Sequence, residues 1–222
     1  MKPVFLINCK AYEQGIGDNA VKIAKAAERV AREEKIDIII SVQPADIRMV
    51  SETVKIPVFA QHVDPVAPGS HTGHVLPESV KGAGAKGSLI SHAERRLDFK
   101  TIENTIKRCK EIGLVTVVCA PNVKYAKKIT SFGPDYVAYE DPVLIGSGKS
   151  ISQTKPDSVK RFVKEVKKIN PKTIPLCGAG VSTGKDAESS LKLGTSGVLV
   201  ASAVVKADDP YRVIKEIAGG LR

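Results

Sequence analysis

The chain has 222 residues, 42% of them hydrophobic, and a formal net charge of +10. That length and apolar content suit one sizeable core and argue against a disordered chain. No apolar run in the sequence is long enough to span a bilayer, and the four cysteines form neither a CxxC pair nor a metal-site spacing.

Met1-Lys2-Pro3 leads straight into an apolar run at 4–8, without the long hydrophobic stretch and small-residue cleavage site of a signal peptide. Ile23, Ala27, Val30 and Ala31 then share one face of a helix. Residues 37–42 read as a second strand, 44–50 as a brief helix, and 58–62 as a third strand. The stretch 72–84 offers only a short helix near 77–81 before a strand at 88–91. Ile102, Ile106 and Cys109 mark the next helix, and 115–120 the next strand. Residues 121–132 allow two or three helical turns ahead of a strand at 136–139. Val159, Phe162, Val163 and Val166 form an apolar stripe with lysines opposite, an ordinary amphipathic helix. A strand at 174–177 follows, then a helix through Leu191 and Leu193 that Ser182 or Thr183 caps. The last strand is 197–200, and Asp209-Pro210 supplies an N-cap and an N1 proline for a helix through Val213, Ile214 and Ile217.

Eight short, mostly apolar runs alternating with helices predict an α/β fold with a parallel sheet buried on both faces. The count suits a closed (β/α)8 barrel, compact and with some shortened helices, as a single domain over residues 1–222. An open doubly wound sheet is the alternative. No repeat, linker or low-complexity segment divides the chain. Three of the cysteines lie in or beside strand runs, where the side chain acts as a small hydrophobe, and a reducing cytoplasm is the simplest compartment.

In such a barrel the residues at strand C-termini carry the chemistry and the loops after them close over ligands. Asn8 and Lys10 follow the first strand, His92 and Glu94 the fourth, Glu140 the sixth, Gly178-Ala179-Gly180-Val181-Ser182 the seventh, and Ala201-Ser202 the eighth. Glu140 stands before a small-residue lid at 141–151 and reads as a base. Small residues after strands seven and eight suit a phosphate held by backbone N–H groups. Two motif imitations fail. Gly148-Lys149-Ser150 lacks the first glycine of a P-loop, position 143 being Val143. Gly178-Ala179-Gly180 has its third glycine, Gly184, one residue late for a dinucleotide fingerprint. The four histidines show no metal-ligand spacing. The basic residues are spread over helix faces without interleaved aromatics, so the charge favours anionic small molecules over nucleic acid.

Taken together the motifs resemble the triosephosphate isomerase family in its shortened archaeal form, along the whole chain. The matching segments are Asn8-Cys9-Lys10, His92-Ala93-Glu94-Arg95-Arg96, Tyr139-Glu140 and Ile145-Gly146-Ser147-Gly148-Lys149. Cys9 stands where the family usually has Trp, Ala93 where it has Ser, Asp141 adds an acid, and Ala201-Ser202 replaces a common Gly-Gly. The resemblance implies interconversion of dihydroxyacetone phosphate and D-glyceraldehyde 3-phosphate through an enediolate. It implies Glu140 as base, His92 as electrophile, Lys10 as electrostatic stabiliser, and Asn8 and Glu94 in support. His92 is expected neutral, a helix start after Ala93 disfavouring its cation. Substrate and phosphate contacts fall to Asn8, Lys10, Ile145, Gly146, Ser147, Gly180, Ser182, Ala201 and Ser202. No cofactor, metal, nucleic acid or membrane is expected. The partners are a triose phosphate and further copies of the chain, a homotetramer first and a dimer second, with residues 64–75 resembling the family's subunit-contact loop. Another phosphate-binding barrel enzyme is the nearest rival, and a noncatalytic binder of anions or RNA the rival from a different class.

Overall fold

The computed structural model describes residues 2–144, 146 and 148–222. Its strands are β1 (Val4–Asn8), β2 (Asp37–Val42), β3 (Val58–Ala60), β4 (Gly87–Ile90), β5 (Val115–Ala120), β6 (Tyr136–Tyr139), β7 (Ile174–Cys177) and β8 (Gly197–Val200). They pair in parallel in chain order, and β8 returns to β1 with Val4 opposite Gly197, so the sheet closes into a barrel. Closure excludes the open sheet.

Alternation along each strand sorts the core into two layers. Val4, Leu6, Ile39, Phe59, Leu89, Val117, Ala138, Leu176 and Leu199 fill the barrel interior. Phe5, Ile7, Ile38, Ile40, Val118 and Val137 face the helices. A fully buried aliphatic side chain stabilises by about 1.5–3 kcal/mol, so both layers hold the ring together. The same parity carries past the strand ends. Asn8 continues the inward set of Leu6, and Glu140 continues that of Ala138.

The outer layer comprises α1 (Gly17–Glu34), α2 (Ile47–Thr53), α3 (Pro77–Gly82), α4 (Phe99–Glu111), α5 (Val123–Thr130), α6 (Ile151–Thr154), α7 (Pro156–Ile169), α8 (Gly184–Lys192), α9 (Ser202–Val205) and α10 (Pro210–Gly219). The segments after β2, β3 and β5 carry short helices, as their sequences predict. The Asp209 side chain accepts from Arg212 N–H ahead of α10. Thr183, not Ser182, caps α8, in a reciprocal box with Asp186.

Three strand boundaries differ from the sequence reading, and the helix expected at 44–50 begins as a 3-10 turn at Pro44–Asp46 and continues as α2 to Thr53. β3 stops at Ala60 rather than 62, where the Gln61 side chain turns to bond a neighbouring carbonyl. β4 starts at Gly87 and ends at Ile90, because Ser91 takes a left-handed backbone, φ 57°. The single-turn helices α6 and α9 carry too few residues to show a period. All four cysteines are free and buried, and burial pushes the thiols of Cys9, Cys109 and Cys177 up to about 12.

Candidate active site

The chain leaves β1 through Asn8 and turns at Lys10, whose φ is 52°. A side-chain-bearing residue in that region costs about 1–2 kcal/mol, so its neighbours must hold it. The Lys10 N–H donates to Asn8 Oδ1 at 3.0 Å, and its carbonyl accepts from Gln61 Nε2 at 2.8 Å and Gln43 Nε2 at 3.1 Å. Its Nζ lies 2.7 Å from Glu94 Oε1. Asn8 and Lys10 are both buried, whereas the Glu94 side chain is 59% exposed.

His92 stands one residue past the left-handed Ser91. The Arg96 guanidinium donates to the carbonyls of Ser91 at 2.7 Å and Cys119 at 3.0 Å, tying the ends of β4 and β5 together. After His92 the chain makes a turn closed by Arg95 N–H on the His92 carbonyl, and α4 begins only at Phe99. The helix start expected after Ala93 is therefore absent, and with it the helix-dipole argument for a neutral ring. A different contact sets the tautomer: the Glu94 backbone N–H donates to His92 Nδ1 at 3.2 Å. Glu94 Oε2 also lies 3.3 Å from Nδ1, which would ask that nitrogen to donate. The backbone amide has no role but donor, and the Glu94 carboxylate is already engaged by Lys10. In the neutral ring the proton therefore sits on Nε2, which faces Glu140 Oε1 at 3.5 Å. Burial opposes an imidazolium here. Glu140 and Glu94 outweigh burial and the opposing Lys10, and hold the His92 pKa above its ordinary value.

Glu140 enters the barrel mouth from β6, its N–H extending the ladder onto the Ala120 carbonyl at 2.9 Å. It is 2% exposed. Gly178 makes room for it, since a Cβ at that position would lie 2.5 Å from Glu140 Cγ. Burial pushes the carboxyl pKa up; His92, a hydrogen bond from Cys119 and the Lys10 charge push it down further, leaving it below the ordinary value. Glu140 Oε2 has no hydrogen-bond partner among the described residues. A buried carboxylate with one bare oxygen can accept a proton from a bound molecule.

The segment after Glu140 is anchored at both ends. Asp141 Oδ1 accepts from Val143 N–H at 3.1 Å, and Asp141 Oδ2 pairs with Lys155 Nζ at 2.5 Å. At the far end Ile151 N–H donates to the Ala179 carbonyl at 3.0 Å. Gly180, at φ 70°, lets the Lys149 backbone pass where a Cβ would collide with it. Between the anchors Val143 is 79% exposed.

Two cavities open at this mouth. One, of about 230 Å³, is walled by Lys10, Glu140, Gly146, Gly180, Ser182, Ala201 and Ser202. The other, of about 310 Å³, is walled by Asn8, Lys10, Gln43, Gln61, His92 and Glu94. Lys10 belongs to both. The structure thus brings together all the expected residues that it describes; Ile145 and Ser147 lie outside the described residues. Ser182 contributes wall rather than donor, because its N–H and hydroxyl both donate to Asp186 Oδ2, at 3.0 and 3.2 Å. Sequence reasoning missed Gln43, Gln61, Arg96 and Cys119. Parity was the available signal for two of them: Gln61 follows the inward Phe59, and Cys119 the inward Val117. Among the described residues no cluster of His, Cys, Asp and Glu is fit to hold a metal ion, and no helix is long and apolar enough to cross a membrane.

A family model described as Triosephosphate isomerase matches residues 3–217. A triosephosphate isomerase of Methanocaldococcus jannaschii is 46% identical over 214 residues, covering 96% of this chain and 98% of the relative. One from Methanothermus fervidus is 44% identical, and one from Methanosarcina acetivorans 46% identical, each across 97% of both chains.

Proposed function

This chain belongs to the triosephosphate isomerase family, interconverting dihydroxyacetone phosphate and D-glyceraldehyde 3-phosphate in glycolysis and gluconeogenesis, and we propose that Glu140, His92 and Lys10 carry the reaction. The division of labour follows the known one for this enzyme. Glu140 removes a proton from C1 of the ketose and returns it to C2 of the enediolate. Its bare Oε2 and its burial suit that exchange. His92 donates from Nε2 to the carbonyl oxygen and passes a proton between the two oxygens. Lys10 stabilises the developing oxyanion and the phosphate dianion.

Asn8 orients Lys10 through its backbone amide and lines the cavity beside it. Glu94 sets the His92 tautomer and anchors the Lys10 ammonium. Phosphate lies in the smaller cavity against Gly146, Gly180, Ala201 and Ser202, with Ile145 and Ser147 assigned from the motif. The first N–H groups of α9 are those a helix leaves unpaired, which suits an oxyanion. Closure of 141–151 would exclude water and shield the enediolate from elimination of its phosphate.

The observation that carries this reading is the Nε2 to Oε1 distance of 3.5 Å, with Lys10 walling both adjoining cavities. Shortening the base tests it. Glu140→Asp is expected to lose about 10²-fold or more in kcat, since a displaced base is costly. A near-native rate would remove Glu140 from the role.

The assembly reading is a homotetramer in the cytoplasm. In support, residues 67–74 are exposed, and their loop is cinched at its base by Asp64 N–H on the Val75 carbonyl and Val75 N–H on Asp64 Oδ2. Light scattering at micromolar concentration is expected to give four chains; a monomer refutes the assembly.

A further inference from the structure

Lys10 holds a backbone conformation that lysines avoid, and such a residue persists only where its surroundings over-determine it. Here the surroundings are two side-chain amides. Gln43 Nε2 donates to the Lys10 carbonyl at 3.1 Å, and Gln61 Nε2 to the same carbonyl at 2.8 Å, so both lone pairs are used. Gln43 Nε2 also donates to Gln61 Oε1 at 2.9 Å, and Gln61 Nε2 reaches the Ser41 carbonyl at 3.4 Å. Every amide proton of the pair has an acceptor. Flipping either amide would set oxygen against the Lys10 carbonyl, so the network dictates the orientation.

We infer that Gln43 and Gln61 form a two-amide clamp that keeps Lys10 in its left-handed conformation, making both of them positioning residues for the isomerisation. The inference rests on the assignment of Lys10 above. Gln43 follows β2, which pairs with β1, Gln61 follows β3, one strand further round the barrel, and both wall the same cavity as Lys10 and His92. With the backbone clamped on one side and Nζ paired with Glu94 on the other, the ammonium has one place to be: the junction of the two cavities. Releasing the carbonyl lets Lys10 relax toward the extended basin and swings its Cβ onto another vector. A charge moved by about 1 Å from its productive position loses much of its effect on the rate. If the amides only satisfied a buried carbonyl, their loss would lower stability and leave the chemistry unchanged.

A double-mutant cycle separates the two cases. Gln43→Met and Gln61→Met remove the donors at similar volume, and each is made alone and with Lys10→Ala. Each single variant is expected to lower kcat/KM by about 10-fold or more. In the Lys10→Ala background the same change is expected to alter kcat/KM by less than about twofold, because the clamp then has nothing to position. Glutamine variants within twofold of the parent, or equally costly in both backgrounds, overturn the clamp. Should Gln61→Met not fold, Gln61→Glu keeps the size and sets carboxylate oxygens at the Lys10 carbonyl; the same loss is expected, and full activity overturns the inference. Full activity of Lys10→Ala alone refutes the role of Lys10 and the clamp with it. An impaired Lys10→Ala beside unaffected glutamine variants refutes the clamp only.

Discussion

Adding one methyl group at Gly178 should disable the proposed base without replacing it. A Cβ built there lies 2.5 Å from Glu140 Cγ, 3.2 Å from Cδ and 3.3 Å from Oε1. To regain ordinary contact at 3.4 Å, Cγ must retreat by about 0.9 Å. The retreat has little room, because Glu140 is 2% exposed, with Cys119 and His92 bonded to its carboxylate. A displacement of about 1 Å at a catalytic group lowers the rate by about 10²-fold, so Gly178→Ala is expected to lose that much in kcat. Overpacking at a filled site also costs about 1–3 kcal/mol of stability. Gly178 is not among the positive-φ glycines, so backbone strain adds nothing. At an unobstructed position the same change stabilises a protein by about 0.4–1 kcal/mol, which makes the sign of the effect diagnostic. A coupled assay with glyceraldehyde 3-phosphate gives the rate, and thermal melting the stability. A kcat within threefold of the parent, in a protein melting no lower, would show that Glu140 does not depend on the room Gly178 leaves.

Lys10→Ala is expected to raise KM and lower kcat together, since the ammonium walls both cavities; unchanged steady-state kinetics would place it outside the site. Gly180→Ala puts a side chain at φ 70° and against the Lys149 backbone, so the anchor of the proposed lid shifts. The expected result is weaker binding of a phosphate-bearing inhibitor by about 10-fold or more, and unchanged affinity would refute the anchor. The pH dependence of stability follows from the coupled pair. The His92 pKa is raised in the fold, so its contribution is complete below its ordinary 6.5 and fades as pH rises through the raised value. The Glu140 pKa is lowered, so its contribution is complete above its ordinary 4.5 and fades as pH falls through the lowered value. The melting penalty of His92→Gln should therefore be greatest between pH 4.5 and 6.5 and shrink above that range, and a penalty flat in pH would contradict the pairing.

Much of this molecule is local chemistry, and local chemistry is written in the sequence. Apolar runs such as VFLIN and VTVVCA become buried strands because both faces are apolar. Asp209-Pro210 starts a helix because the carboxylate meets an orphan amide and proline presets the backbone. Period-two parity by itself turns Asn8 and Glu140 inward. What the tertiary structure decided are the relations between residues far apart in the chain. Gln61 meets the Lys10 carbonyl across 51 positions, and Glu94 meets Lys10 Nζ across 84. His92 was expected under a helix dipole, and the fold gave it a backbone amide and two carboxylates instead. Ser182 was expected to face phosphate, and Asp186 took its donors. No periodicity or cap encodes such contacts. They depend on where the strand ends arrive when β8 meets β1, and that closure is a property of the whole barrel rather than of any segment.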